Sequence, residues 1–261
     1  LYLLIINKDG VNLQDAGAYR GMKTYALVEA VKQHGESAAV ISIGPAGERK
    51  WKAASVAFTD KDGPPSRHAG RGGMGAVMGA KGLKAIVVDD KGAPAVSMAD
   101  KEAYREILGK WTQVVKADKQ LQGFSKYGTP AGIVALRGLG SMPSKNYSSE
   151  ETPGFENLGG EALAKLGKER GGRMDGCMPG CIVKCSIIFH DAAGRHVTSA
   201  FEYETIALLG TNLGIADPDE VAKMDRFCDE MGLDTIDLGS AMGVAASAGS
   251  VEKSITSSAS S

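Results

Sequence analysis

The chain has 261 residues, with 30 Lys and Arg against 31 Asp and Glu and a formal net charge of −1. That length accommodates two domains or one large one. There is no basic excess to suggest nucleic acid, and no stretch is long and apolar enough to span a membrane. Four cysteines are too few for a secreted disulfide scaffold, which favours a reducing, cytosolic compartment.

Residues 1–7 are an apolar run read as a buried strand. The run has no initiator Met, so the sequence is expected to be a piece of a longer protein, and the lack of a targeting signal carries little weight. A helix is predicted over 18–34, stopping at Gly35, with further strands over 38–43 and 83–89. The connection between those two strands is long and glycine-rich. From about Ala99 the periodicity becomes helical. Helices are predicted over 100–116, over 129–137, around 162–165, and as a buried segment over 201–213. Asp217-Pro218-Asp219-Glu220 is a strong helix start, with Asp at the N-cap, Pro at N1 and Glu at N3. That helix should end at Gly232, and another should run from near Asp234 to Ala245. The expected fold class is α+β: a partial N-terminal α/β sheet domain (1–95), then a mainly α-helical domain (96–250), then a disordered polar tail (251–261).

Cys177-Met-Pro-Gly-Cys181-Ile-Val-Lys-Cys185 gathers three of the four cysteines within nine residues. Thiolates this close bind soft metals or iron–sulfur clusters, or form a disulfide. The spacing leaves an iron–sulfur cluster, zinc and redox or buried thiols all open. Cys228 sits on a later helix at a position suited to core.

Gly70, Gly72 and Gly75 match GxGxxG, with Asp90 twenty residues after Gly70. A dinucleotide site is set aside, because the segment before the motif (Asp62-Gly-Pro-Pro-Ser66) reads as a turn rather than a buried strand. What remains is either a tight structural loop or a backbone cradle for an anionic, heteroatom-rich ligand, with Arg67 and Arg71 adding planar donors.

Taken in order, several motifs resemble the tungsten-containing aldehyde ferredoxin oxidoreductase family. They are Ser42-Ile-Gly-Pro-Ala-Gly-Glu48, Ala69-Gly-Arg-Gly-Gly-Met-Gly75, Lys126-Tyr-Gly-Thr129 and Pro143-Ser-Lys-Asn-Tyr147. The cysteine segment, Glu202-Tyr-Glu204, Asn212-Leu-Gly214 and Asp229-Glu-Met-Gly-Leu-Asp234 complete the series. The resemblance implies a tungsten (or molybdenum) bis-pterin with a [4Fe-4S] cluster beside it. It implies oxidation of a small aldehyde to a carboxylic acid, with electrons passed to ferredoxin or another iron–sulfur carrier. It also leaves room for a homo-oligomer. By the same resemblance, Arg67, His68, Gly70, Arg71, Gly72 and Gly73 contact the pterin, and the His68 carbonyl helps hold a magnesium ion between pterin phosphates. Asp229, Gly232, Leu233 and Asp234 cradle one pterin, and Glu204, with Tyr203 beside it, stands near the tungsten. Cys177, Cys181 and Cys185 bind the cluster, through a loop one residue longer than the family's usual C-x2-C-x3-C. The fourth ligand is expected from a third domain, outside this sequence. Some members also carry an interface iron on Glu-x-x-His; Lys223 and Arg226 stand at those positions here, so no such iron is expected. The alternatives are a non-catalytic iron–sulfur electron-transfer or scaffold module, and a structural zinc protein.

Overall fold

β1 (Tyr2–Asn7) turns through Lys8 and Asp9 into β2 (Gly10–Asp15), an antiparallel arm exposed along its length. α1 (Thr24–Val31) follows, then β3 (Ala39–Ser42), α2 (Pro45–Glu48), β4 (Val56–Phe58), β5 (Arg67–Ala69), α3 (Met74–Ala80) and β6 (Leu83–Val88). β6 lies parallel to β1 and antiparallel to β3, and the six strands take the order β2-β1-β6-β3-β4-β5. Leu3, Ile5, Val40, Ala85 and Val87 of the sheet meet Leu27, Val28 and Val31 of α1 in one apolar cluster. This computed structural model describes residues 1–149 and 152–250, so the expected tail over 251–261 lies outside the described residues.

The three expected strands are present to within about a residue or two, and three more are not foreshadowed. β2 is polar throughout, while β4 and β5 are three residues each within the glycine-rich connection. The turn expected over residues 62–66 is present, and β5 stands between it and the GxGxxG run. It is a short antiparallel edge strand, not the buried parallel strand that a dinucleotide fold requires. The helix expected over 18–34 is continuous only as α1, flanked by single tighter turns at Gly17–Tyr19 and Lys32–His34. Gly21 breaks it: its φ is +75°, and its N–H is held by both carboxylate oxygens of Glu48 at 3.0 Å.

The second half begins with α4 (Lys101–Ala117), capped by Asp100, whose side chain accepts from the N–H groups of Glu102 and Ala103. α5 (Lys119–Tyr127), α6 (Ile133–Gly138) and α7 (Gly160–Arg170) lead to a small antiparallel sheet that the periodicity does not reveal. It consists of β7 (Arg173–Asp175), β8 (Ser186–His190) and β9 (His196–Ser199). The buried helix expected over 201–213 is instead a broken run. α8 (Tyr203–Thr205) widens into a π-turn at Ile206–Gly210 and tightens at Thr211–Leu213. α9 (Pro218–Met231) and α10 (Thr235–Ser247) match their start and stop signals, with Asp217 and Asp234 as N-caps and Gly232 closing α9 at φ +71°. Ile133, Leu158, Phe189, Phe201, Leu209, Val221 and Cys228 build the second core, which also takes in Ala46 and Ala54 from the first half. No helix among the described residues is long and apolar enough to cross a membrane.

The two halves are joined through main chain. Ala54 and Leu233 form an isolated antiparallel bridge. Ser55 N–H donates to Gly232 O, and Asp234 N–H to Ala53 O, both at 2.9 Å. Gly44 lies so close to the Gly232 backbone that an added Cβ would come within 2.7 Å of the Gly232 nitrogen.

Candidate functional site

That seam opens into a cavity of ≈ 290 Å³ between β5, the loop before α3, the end of β9, the start of α8, and α9–α10. His68, Gly70 and Arg71 line it from the first half, and Glu204, Asp229, Leu233 and Asp234 from the second. The remaining expected site residues stand behind these. Gly232 ends α9, and Gly73, at φ +67°, begins α3 with its Cβ position only 2.7 Å from the Lys52 carbonyl. Gly72, at φ +86°, has open space around it. Tyr203 packs its ring against the second core and does not line the cavity.

Backbone geometry accounts for the placement of the aspartates. Asp234 caps α10, accepting from Asp237 N–H at 3.1 Å, and Gly70 approaches it so closely that a Cβ would sit 2.9 Å from Asp234 Oδ1. Asp229 is on the last turn of α9, where Thr24 Oγ1 of α1 donates to its carbonyl at 2.8 Å. Asp229 is 7 % exposed. Its Oδ1 lies 3.2 Å from His68 Nε2, and its Oδ2 is buried with no hydrogen-bond partner. Burial drives the His68 imidazole down to about 4, so the ring is neutral at physiological pH. Nδ1 then accepts from the Ser55 hydroxyl at 2.7 Å, and Nε2–H points at the Pro65 carbonyl and Asp229. The contact with Asp229 is therefore a close approach of a neutral ring and not an ion pair. Burial first, and the neighbouring Asp225 charge second, hold Asp229 well above the usual carboxylate range.

Arg67 spans the site. Its Nη2 donates to Ser186 Oγ at 2.8 Å, immediately after Cys185, while its charge acts on Asp229 and on Glu202. Its Nε is buried without a partner. The unpaired Asp229 Oδ2 and the other polar groups of the cavity wall are costly to bury unless a ligand satisfies them. They fit a planar heterocycle rich in donors and acceptors, such as a pterin.

Several cavity residues are absent from the sequence expectations, Thr205 and Thr235 among them. Glu202 is half-buried and raised by that burial, with its Oε2 taking the Thr129 hydroxyl at 2.7 Å. Asp225 lies one turn before Asp229 on α9, pushed up to about 7 by burial, and accepts from Thr198 Oγ1 at 2.7 Å. Ser66 and Ser199 also line the wall. The spacing of 225 and 229 at i and i+4 was the available signal, since it places both on one helix face. Ala200, between β9 and α8, holds φ +61°, a strained conformation for a residue with a Cβ, and it also lines the cavity.

The cysteine segment runs along one side of this site. All four cysteines are free. Left-handed residues Gly180 and Lys184 bend the loop, and the backbone N–H groups of Lys184 and Val183, with Cys177, act on Cys181 and hold its thiol below the ordinary range. Cys185 is raised, by burial and then by Glu202, and it feels the charges of both Cys181 and Cys177. Among the described residues no three His, Cys, Asp or Glu side chains are drawn together at metal-holding distance. Asp175 and Lys61 tie the start of the segment to the first half at 2.9 Å. Cys228 is fully buried in the second core, and that burial pushes its thiol up. Lys223 pairs with Glu220, and Arg226 stacks 3.4 Å over the Tyr25 ring.

Comparison with known proteins agrees with the ordered motifs. Residues 1–90 match the aldehyde ferredoxin oxidoreductase N-terminal domain, and residues 106–258 match domains 2 and 3 of the same family. The tungsten-containing aldehyde ferredoxin oxidoreductases of Pyrococcus abyssi and Pyrococcus furiosus are 34 % and 33 % identical over 245 residues, covering 93 % of this chain. An aliphatic sulfonate oxidoreductase subunit of Pyrococcus furiosus is 30 % identical over 266 residues. The chain spans 38 % of the length of the two aldehyde enzymes and 40 % of the sulfonate enzyme. The active-site complex of a benzoyl coenzyme A reductase, solved with 1,5-dienoyl-CoA, superposes with a TM-score of 0.73 over the whole chain and 40 % of its own, at 22 % identity, which speaks to fold alone. On these matches and its α+β architecture, the chain belongs to the aldehyde ferredoxin oxidoreductase family.

Proposed function

We propose that this chain is the pterin-binding and cluster-binding part of a tungsten or molybdenum oxidoreductase that converts a small aldehyde to its acid. The observation that carries this is the seam cavity where the two matched domains meet, with Asp229 Oδ2 buried and unpaired in its wall. Asp229 and Asp234 accept the N–H groups of the heterocycle, and Gly70 allows the backbone to come close. Arg71, exposed at the rim, suits a phosphate. Cys177, Cys181 and Cys185 supply three thiolates to a cluster whose fourth ligand lies outside this sequence. When bound, the metal–pterin unit and the cluster supply the two-electron oxidation and its one-electron relay. Aldehyde and water give acid, two protons and two electrons, and Glu204 at the cavity wall accepts a proton. Arg67, bonded beside Cys185 and reaching Asp229, links the two cofactor positions. The magnesium expected at the His68 carbonyl rests on the family resemblance alone. Ferredoxin as electron acceptor and a cytosolic setting belong to the same proposal. The sulfonate-named relative leaves the substrate class to experiment.

The test is elemental and pterin analysis of the native protein from metal-replete cells. One tungsten or molybdenum and about four iron atoms per chain are expected, the latter from a single cluster. Finding neither tungsten nor molybdenum sinks the proposal. Replacing Cys177, Cys181 or Cys185 by Ser should lower iron, whereas Cys228→Ala should leave iron unchanged.

A further inference from the structure

Asp225 lies outside every motif that carries the family resemblance, yet it is buried in the wall of the same cavity. We propose that Asp225 contacts the bound heterocycle and that, with Asp229, it reads an amide-like edge, a ring N–H next to a ring C=O. This deepens the pterin reading and rests on it. Positions 225 and 229 are one helical turn apart on α9, so their carboxyl groups share a face. Thr198 Oγ1, from β9, fixes Asp225 through Oδ2 at 2.7 Å. His68 Nε2 approaches Asp229 Oδ1 at 3.2 Å, and Asp229 Oδ2 is left for a ligand.

Two carboxyl groups buried one turn apart on one helix face disfavour double ionisation, and on this proposal the pair shares one proton. One member then donates and the other accepts. A carboxylic acid beside a carboxylate is the hydrogen-bonding complement of a lactam edge, which two carboxylates cannot match. The other groups facing Asp225 do not undo this. Glu202 adds negative charge, and Tyr25 of α1 and Cys228 are themselves pushed up by burial and stay neutral. Arg226 acts on Asp229 and favours its charged form.

The experiment measures pterin in the native protein, released and oxidised to its fluorescent derivative, after equilibration across a pH series. Unchanged protein should lose pterin as pH rises far enough to strip the shared proton. Asp225→Asn, whose amide donates at every pH while still accepting from Thr198, should keep pterin without that slope. Asp225→Leu, if folded by circular dichroism, should hold about ten-fold less at every pH. Full pterin in Asp225→Leu, or an unchanged pH slope in Asp225→Asn, overturns the inference. Absence of pterin from the unchanged protein at all pH values overturns the parent reading instead.

Discussion

Thr129 serves two partners with one hydroxyl. It donates to Glu202 Oε2 at 2.7 Å and accepts from Tyr203 N–H at 2.8 Å, so it acts as an N-cap for α8 supplied from a distant loop. Gly128 before it, at φ +69°, packs against the Cys185 carbonyl, which ties the cysteine segment to the same loop. Thr129→Val keeps the shape but takes one donor from the half-buried Glu202 carboxylate and strands the Tyr203 N–H. The expected cost is about 1–3 kcal/mol in chemical denaturation, with Thr129→Ser restoring most of it. This pairing shows how far the sequence could be read at this scale. Lys126-Tyr-Gly-Thr129 and Glu202-Tyr-Glu204 were both visible as motifs, but nothing in either says that they touch. The family resemblance points to Glu204 and Tyr203 and passes over Glu202. The structure turns Tyr203 toward the core and brings Glu202 and Glu204 to the cavity.

At the scale of elements, local signals worked where the chain satisfies itself and failed where distant groups decide. Asp217-Pro218 and Gly232 mark both ends of α9 because caps are local. The break before α1 depends on Glu48, 27 residues away, capturing the Gly21 N–H. β7, β8 and β9 are short, and the cysteine loop interrupts them, so no alternating pattern survives to announce a sheet. Glu48 has a second partner, Lys84, which is fully buried on β6 and also donates to the Met22 carbonyl at 2.8 Å. This ion pair holds α2, the approach to α1 and β6 together. Lys84→Met removes the cation and leaves the Glu48 charge nearly buried, an expected loss of about 3–5 kcal/mol. Lys84→Met combined with Glu48→Gln should recover part of it, and a urea titration of the three proteins measures the difference. A double variant no better than the single one would show that the ion pair does not organise these elements.

For the whole molecule, the seam between the two halves is where buried ionisable groups of opposite type meet, and its proton balance should appear in stability against pH. His68 falls from an ordinary 6.5 to about 4 because burial disfavours its charged form. Between those values the unfolded chain binds a proton that the folded chain refuses. The folded state therefore loses stability as pH falls from 6.5 toward 4. Asp225 moves the other way, from 3.8 up to about 7, again through burial. Between 3.8 and 7 the folded chain keeps a proton that the unfolded chain releases, so this group loses stability as pH rises through that window. The two contributions oppose each other over nearly the same range, and Asp229, also raised by burial, adds to the side of Asp225. Replacing one group should unmask its partner. His68→Gln should make the cofactor-free protein gain stability at about pH 5 relative to about pH 7, compared with the unchanged protein, by roughly 2 kcal/mol. Asp225→Asn should shift the same comparison in the opposite direction. Denaturation midpoints of the three proteins at the two pH values decide this. If both variants move the same way, the buried groups of the seam are not exchanging a proton on folding, and the cavity is wetter and less polarised than its geometry implies.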